Sequence, residues 1–362
     1  MKHIGIDVRL LFQTGVGTYL QNLLHYLPKY APKDLAYTFY CLPPDVQYIK
    51  DAIPNGRIRV TRSLWHTVGE QTELLRLIES DTLDLMHFTY FGHPILYRGK
   101  SISTIHDVTP LLFTTGKAST RNPLIYAIKK WAFSLALKHQ VYASEAIITP
   151  TNTVKQQLIR SYGESIAQKI IPIYEGVSYR LLSEQENTKS IHSPYLLYVG
   201  NFYPHKNVCA LINAFIESKS RYSLVLAGPN DYFLKRLLAS IHERDKKHLI
   251  IKDKPTLHEL ISLYKHAEAL IHPSISEGFG LPLVEAMHFG IPIIASHIPV
   301  FQEIVGNSHY SFDPYDEHSI AEAIQTFENS NEKKINKMNE EFSFDRMTEK
   351  TVDLYTKHGS QK

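Results

Sequence analysis

The stretch HPSISEGFGLPLVEAMHFGIPIIAS, residues 272–296, decides the reading of this chain. An apolar run ends at His272, and Ser274, Ser276 and Glu277 fill the loop that follows. Gly278, Phe279 and Gly280 lead into a helix that opens near Leu281–Pro282, and proline is at home in a first helical turn. The start of a helix offers unpaired N–H groups and a partial positive charge. Two glycines let a ligand approach the backbone closely, and together these make an anion site suited to phosphate. A carboxylate aimed at phosphate would repel it. Glu277 in the loop, and Glu285 after seven intervening residues, therefore read as acceptors of hydrogen bonds from hydroxyls such as sugars and ribose carry. Glu285 sits among Leu283, Val284, Ala286 and Met287, and a buried glutamate needs a partner. The plainer reading is a tight loop before a helix whose glutamates cap it or face solvent.

Outward from this block, short β-branched runs alternate with amphipathic stretches, the pattern of βαβ units and parallel sheets. Toward the C-terminal half, strands read at 195–199, 223–227, 248–252, 269–272 and 291–296. A helix runs from Val208 to Glu217, with Val208, Leu211, Ile212, Phe215 and Ile216 on one face. Thr256 with Glu259 spells a capping box for the helix after it. In the first half, strands read at 3–8, 84–87, 101–105 and 145–149. Val16, Tyr19, Leu20, Leu23, Leu24 and Leu27 mark a buried helix face that should stop at Pro28. The polar segment 183–194 reads as a linker or exposed loop, and the last ~30 residues as a charged helix.

The 362 residues predict about two domains. With 43% hydrophobic and 21% charged residues the chain is an ordinary globular one. Lys plus Arg (39) against Asp plus Glu (36) leaves a net charge of +3, which argues against a nucleic-acid-binding polycation. Cys41 and Cys209 form no metal or redox motif, so a reducing compartment, the cytoplasm, is expected. Asp7 and Arg9 interrupt the N-terminal apolar run, which does not suit a signal peptide.

Four further segments bear on chemistry. In YVGNFYPHKNV (198–208), a strand, Gly200 and a loop put Lys206 at a strand's carboxyl end. Its ammonium suits a diphosphate and the charge of a departing one; a solvated surface lysine is the plain alternative. Gly15 and Gly17 sit in a strand-to-helix loop, but Leu20 fills the place of the last glycine of a dinucleotide fingerprint. His106 and Asp107 follow a β-rich run and should face the crevice, and His87 is a comparable candidate on the acceptor side. Stretch 121–140 carries Leu124, Ile128, Trp131 and Leu135 with Lys129, Lys130 and Lys138; it could rest on an anionic membrane, or face the core with a basic outer side. No D-x-D, H-E-x-x-H, paired C-x-x-C, G-x-S-x-G or Walker loop occurs.

The 272–296 block resembles the signature of family 4 retaining glycosyltransferases, and the likeness runs through nearly the whole chain. It implies the GT-B fold, an α/β architecture of two Rossmann-like parallel-sheet domains facing a central cleft. An acceptor-side domain would span 1–174, a nucleotide-sugar domain 175–342, and a C-terminal helix, 343–362, would return toward the first. It implies that Glu277 contacts donor-sugar hydroxyls, that the backbone of Gly278, Phe279, Gly280 and Leu281 meets the sugar and diphosphate, and that Glu285 binds the ribose. Lys206 with Asn201 would hold the diphosphate, and the Gly15–Gly17 loop would close over it. His106 would touch the sugar near the reacting carbon, and Ile251–Lys252 would meet the base. Many members carry Arg at the positions of Asn201 and His205. The YVGN and PHKN runs look most like bacterial O-antigen or lipopolysaccharide mannosyltransferases. That implies GDP-mannose as donor, a glycan or lipid-linked acceptor, no metal cofactor, retention by front-face attack, and peripheral attachment at the inner face of the cytoplasmic membrane. A covalent Glu277 intermediate, an epimerase of the same fold and a non-catalytic sugar-binding relative are the alternatives.

Overall fold

The computed structural model describes residues 1–109, 123–183 and 191–359. They form two compact units. The first comprises 1–109, 123–178 and 343–359, the second 179–183 and 191–342. The crossing at Ser178–Tyr179 lies beyond position 174, because Glu175 and Val177 belong to the first unit: Glu175 bonds His106 and Val177 bridges Ser343.

The first unit holds a seven-stranded parallel sheet in the order β3-β2-β1-β4-β5-β6-β7. Its strands are β1 (Lys2–Asp7), β2 (Leu35–Cys41), β3 (Arg57–Val60), β4 (Leu85–Phe88), β5 (Ser101–Thr104), β6 (Ala146–Thr149) and β7 (Ile170–Pro172). The helix after β1 runs Val16–Tyr30 and buries Tyr19, Leu20, Leu23, Leu24 and Leu27, as the spacing predicts. It does not stop at Pro28: Ala31 N–H still bonds Leu27 C=O, so the proline costs one bond inside the last turn instead of ending it. Phe344–His358, the only helix in the described part of the charged C-terminal segment, packs on Val16–Tyr30, and Lys29 pairs with Asp345 at 2.6 Å.

The second unit holds a six-stranded parallel sheet in the order β10-β9-β8-β11-β12-β13. Its strands are β8 (Tyr195–Val199), β9 (Ser223–Gly228), β10 (Leu249–Asp253), β11 (Ala269–His272), β12 (Ile293–Ser296) and β13 (Tyr310–Phe312). Leu196, Leu224, Ile271 and Ile294 of the strands pack with Leu211, Ile212 and Phe215 of the helix Val208–Ser218 in one core. The Thr256–Glu259 capping box forms with both of its hydrogen bonds. The polar segment expected as a linker falls largely in 184–190, outside the described residues.

In each sheet the strand order reverses once, between β1 and β4 and between β8 and β11. Ligands of open parallel sheets bind at the carboxyl ends of strands at that reversal.

Candidate active site

In the second unit the reversal carries the residues singled out in the sequence. Lys206 follows β8 through a turn, and His272 ends β11. The two loops are tied where Ile275 N–H donates to the His205 carbonyl at 2.8 Å. Lys206 Nζ donates to Glu277 Oε1 at 2.6 Å, and His272 Nε2 reaches the same oxygen at 3.1 Å. Burial pushes the Glu277 carboxyl up, but the Lys206 charge and the His272 hydrogen bond outweigh it and hold the group well below the usual carboxylate range. Glu277 is therefore an acceptor only, and its second oxygen has no hydrogen-bond donor among the described residues.

Lys206 sits just before Asn207, the left-handed cap of the helix Val208–Ser218. A cation at the positive end of a helix is misplaced unless an anion joins it. Glu277 supplies part of that anion. His205 adds no permanent charge: burial, then Lys206, push its imidazole down to about 4.

The helix Leu281–Phe289 opens as expected, with proline in its first turn and Gly280 as its cap at φ 96°. A side chain at Gly280 would lie 2.9 Å from the Phe301 ring, so this glycine is required twice over. Phe279 is buried, edge-on to Phe342 at 5.7 Å. Glu285 finds the partner its setting demands: the buried Tyr264 hydroxyl donates to its Oε2. Burial raises the Glu285 carboxyl and this bond offsets part of the rise. Asn201 turns its side-chain oxygen to Tyr203 N–H, and Tyr198 O–H donates to its carbonyl. Ile251 pairs with Leu226 within the edge strand β10, one side of which has no neighbour in the ladder.

The candidates of the first unit fare differently. His106 is buried at the carboxyl end of β5, with Nε2 on the Thr89 carbonyl at 3.0 Å and Nδ1 on Glu175 Oε1 at 3.1 Å. Both ring nitrogens thus meet oxygen partners inside the first unit. Asp107 accepts from Thr109 N–H at 2.7 Å, a local turn. Gly15 takes φ 73° with open space beside it. Gly17 is required by packing, since a side chain would lie 2.7 Å from the Leu11 carbonyl oxygen. His87 corrects the acceptor-side expectation. It is 0% exposed, with Nδ1 on Tyr355 at 2.7 Å and Nε2 on Thr104 at 2.8 Å. β4 extends one residue further than expected, to Phe88, and the His87 side chain turns into the core.

Sequence reasoning gave no role to His272, Tyr264, Glu175 or Glu70. A polar residue closing an apolar strand five positions before Glu277 was the available signal for His272. The acid within PIYEGV was the signal for Glu175. Tyr264 and Glu70 carried none, since their partners are remote in the chain.

Two Rossmann-like parallel-sheet units, the second with a lysine, a glutamate and a glycine-led helix at its strand reversal, define a glycosyltransferase of the GT-B class. The model for Glycosyltransferase Family 4 matches residues 13–180, and that for Glycosyl transferases group 1 matches 182–342. The chain belongs to the family 4 glycosyltransferases. It is 30% identical to the O-antigen chain mannosyltransferase RfbU of Salmonella typhimurium over 273 residues, 75% of this chain and 72% of that protein. It is 24% identical to O-antigen chain mannosyltransferase B of Escherichia coli, over 71% of this chain and 70% of that one. In fold it matches Anabaena Alr3699/HepE in complex with UDP and glucose, with TM-score 0.72 and 14% identity over 99% of this chain and 100% of that one. A glycosyltransferase from Rickettsia africae matches with TM-score 0.70 and 17% identity, over 100% and 99%.

Proposed function

We propose that this glycosyltransferase moves mannose from GDP-mannose to a glycan or lipid-linked saccharide, with retention of anomeric configuration and without a metal ion. The Lys206–Glu277 pair at the reversal between β8 and β11 carries the reading: a cation for the diphosphate beside a carboxylate whose second oxygen has no donor among the described residues. The mannosyltransferase relatives support the choice of sugar.

The acceptor oxygen bonds to the anomeric carbon on the face that the diphosphate leaves. The carbon–oxygen bond to the diphosphate breaks with its electron pair, and the departing phosphate oxygen takes the acceptor proton. Lys206 and the start of the helix Leu281–Phe289 steady the charge on that oxygen, the part a divalent cation would otherwise play. The second oxygen of Glu277 accepts a sugar hydroxyl and faces the cationic character of the ring. Glu285 takes the ribose hydroxyls. The outer edge of β10 at Ile251 meets the base.

Melting shifts with UDP-, GDP-, ADP- and TDP-sugars test the donor; the largest shift is expected from GDP-mannose, and a larger one from another base overturns it. The anomeric configuration of the product, read by NMR, tests retention. Turnover unchanged by EDTA tests the metal.

We also propose that the protein rests on anionic membrane surfaces through the helix Pro123–Ala143. Trp131 and Leu135 share a face and are 66% and 44% exposed, while Leu137 and Val141 pack the core. The side chains of Leu124, Ile128, Lys129 and Lys130 lie outside the described residues. No helix among the described residues is long and apolar enough to cross a membrane. Failure to co-sediment with anionic vesicles at low salt would count against surface binding.

A further inference from the structure

Glu277 Oε1 takes two donors of different kinds. Lys206 is a charged group on a flexible stem, 16% exposed. His272 is 1% exposed and fixed in place, with its ring stacked on Tyr198 at 5.7 Å and set against Phe301 at 5.5 Å. Because Glu277 is ionised, the hydrogen on this contact belongs to His272, which fixes the Nε2–H tautomer. Nδ1 of the same ring is buried and has no hydrogen-bond partner among the described residues. Burial also lowers the imidazole's pKa, so the ring donates as a neutral group.

The two donors answer differently to a diphosphate. Its greater negative charge draws the Lys206 ammonium, which can swing. The His272 ring cannot follow, because two aromatic rings hold it. We infer that His272 is a positioning residue for the transfer step: it keeps Glu277 aimed at the donor sugar once Lys206 has turned to the diphosphate. A neutral donor suits the task. A second cation would cancel the carboxylate's charge just where the sugar becomes electron-poor, whereas Nε2–H orients the group and leaves it anionic. This rests on the reading of Glu277 as the sugar-facing carboxylate.

The test compares His272→Phe with His272→Gln. Phenylalanine fits between Tyr198 and Phe301 and removes the donor; glutamine restores an N–H near the place of Nε2. His272→Asn, too short to reach Oε1, is a second donor-deleted variant should the phenylalanine fail to fold. With GDP-mannose as donor and a mannose-terminated oligosaccharide as acceptor, nucleotide release is expected to show kcat lowered about tenfold or more in the Phe and Asn variants, the scale of a misplaced reacting group. The donor KM should stay near that of the parent, and glutamine should recover most of kcat. A parental kcat in both donor-deleted variants, or an equal loss with glutamine, overturns the inference. Glu277→Gln run in parallel separates the two claims: full activity there removes the role of Glu277 itself, while inactivity beside a normal His272→Phe removes only that of His272. Nitrogen-15 NMR of labelled histidine gives a readout independent of turnover, with the neutral Nε2–H tautomer expected and the Nδ1–H form or an imidazolium overturning it.

Discussion

The two units reverse their strand order in the same way, and each sets a cation against carboxylate there, but they differ in how far those charges are buried and satisfied. In the first, Arg9 beside the end of β1 is spent internally. Its Nε and Nη2 bond Asp7, Nη2 bonds Glu70 at 2.9 Å, and Nη1 bonds the Ser63 carbonyl at 3.0 Å. All three charged side chains are buried, and burial holds the Glu70 carboxyl above its ordinary value even beside a guanidinium. In the second, Lys206 and Glu277 meet at a single oxygen and stay partly exposed. One reversal is closed by its own side chains; the other, among the described residues, leaves one carboxylate oxygen without a donor beside a partly exposed cation. Topology marks where a site can be, and side-chain satisfaction decides whether there is one.

The sharpest test of this contrast removes one charge from each unit. Arg9→Met strands Asp7 and Glu70 without their counter-charge, and about 3–5 kcal/mol of stability should be lost, read as a lower chemical-denaturation midpoint. A small loss would mean that the first reversal is not closed as described. Lys206→Ala or Glu277→Ala should instead cut turnover about 10²-fold, the scale of one transition-state contact, with melting close to the parent. Near-parental rates in either would take that residue out of the reaction.

A pH titration of stability sharpens the comparison. Burial pushes His87 down to about 3, so between about pH 6.5 and that value the unfolded chain binds a proton that the folded first unit refuses. Stability should fall as pH drops through this window, by about 1.4 kcal/mol per pH unit from this group. His87→Gln should flatten that slope, and an unchanged slope would place the proton elsewhere. Glu277 is also shifted downward, so its contribution in the second unit has the same sign but a lower window: it is present above the ordinary carboxylate value and lost only in stronger acid. The smallest effect is expected from Tyr264→Phe, which removes the donor to Glu285: donor KM should rise by about tenfold or less, the worth of one ordinary hydrogen bond.

Much of the fold was legible because buried parallel strands are short apolar runs bounded by loops. YLLYV is β8 to the residue, and ALIH is β11. LAYTFYC and the short edge runs RIRV and YSF passed unremarked, although they form β2, β3 and β13. The loop-and-helix geometry around Gly280 could be read because it is local. Partnerships could not: Lys206 meets Glu277 across 71 positions, and His87 meets Tyr355 across 268. His87 also shows how little separates a crevice residue from a core one. Placing the end of β4 at His87 aims it outward, and one more strand residue makes it part of the interior.

The placement of Phe344–His358 has a consequence for biogenesis. Tyr355, wholly inside the first unit and bonded to His87, leaves the ribosome only after every strand of the second unit has been made. The later sheet can therefore mature on a nascent chain while the earlier one still waits for its closing piece. A polypeptide stopped short of Phe344 would carry a finished second unit attached to an open and proteolytically vulnerable first one.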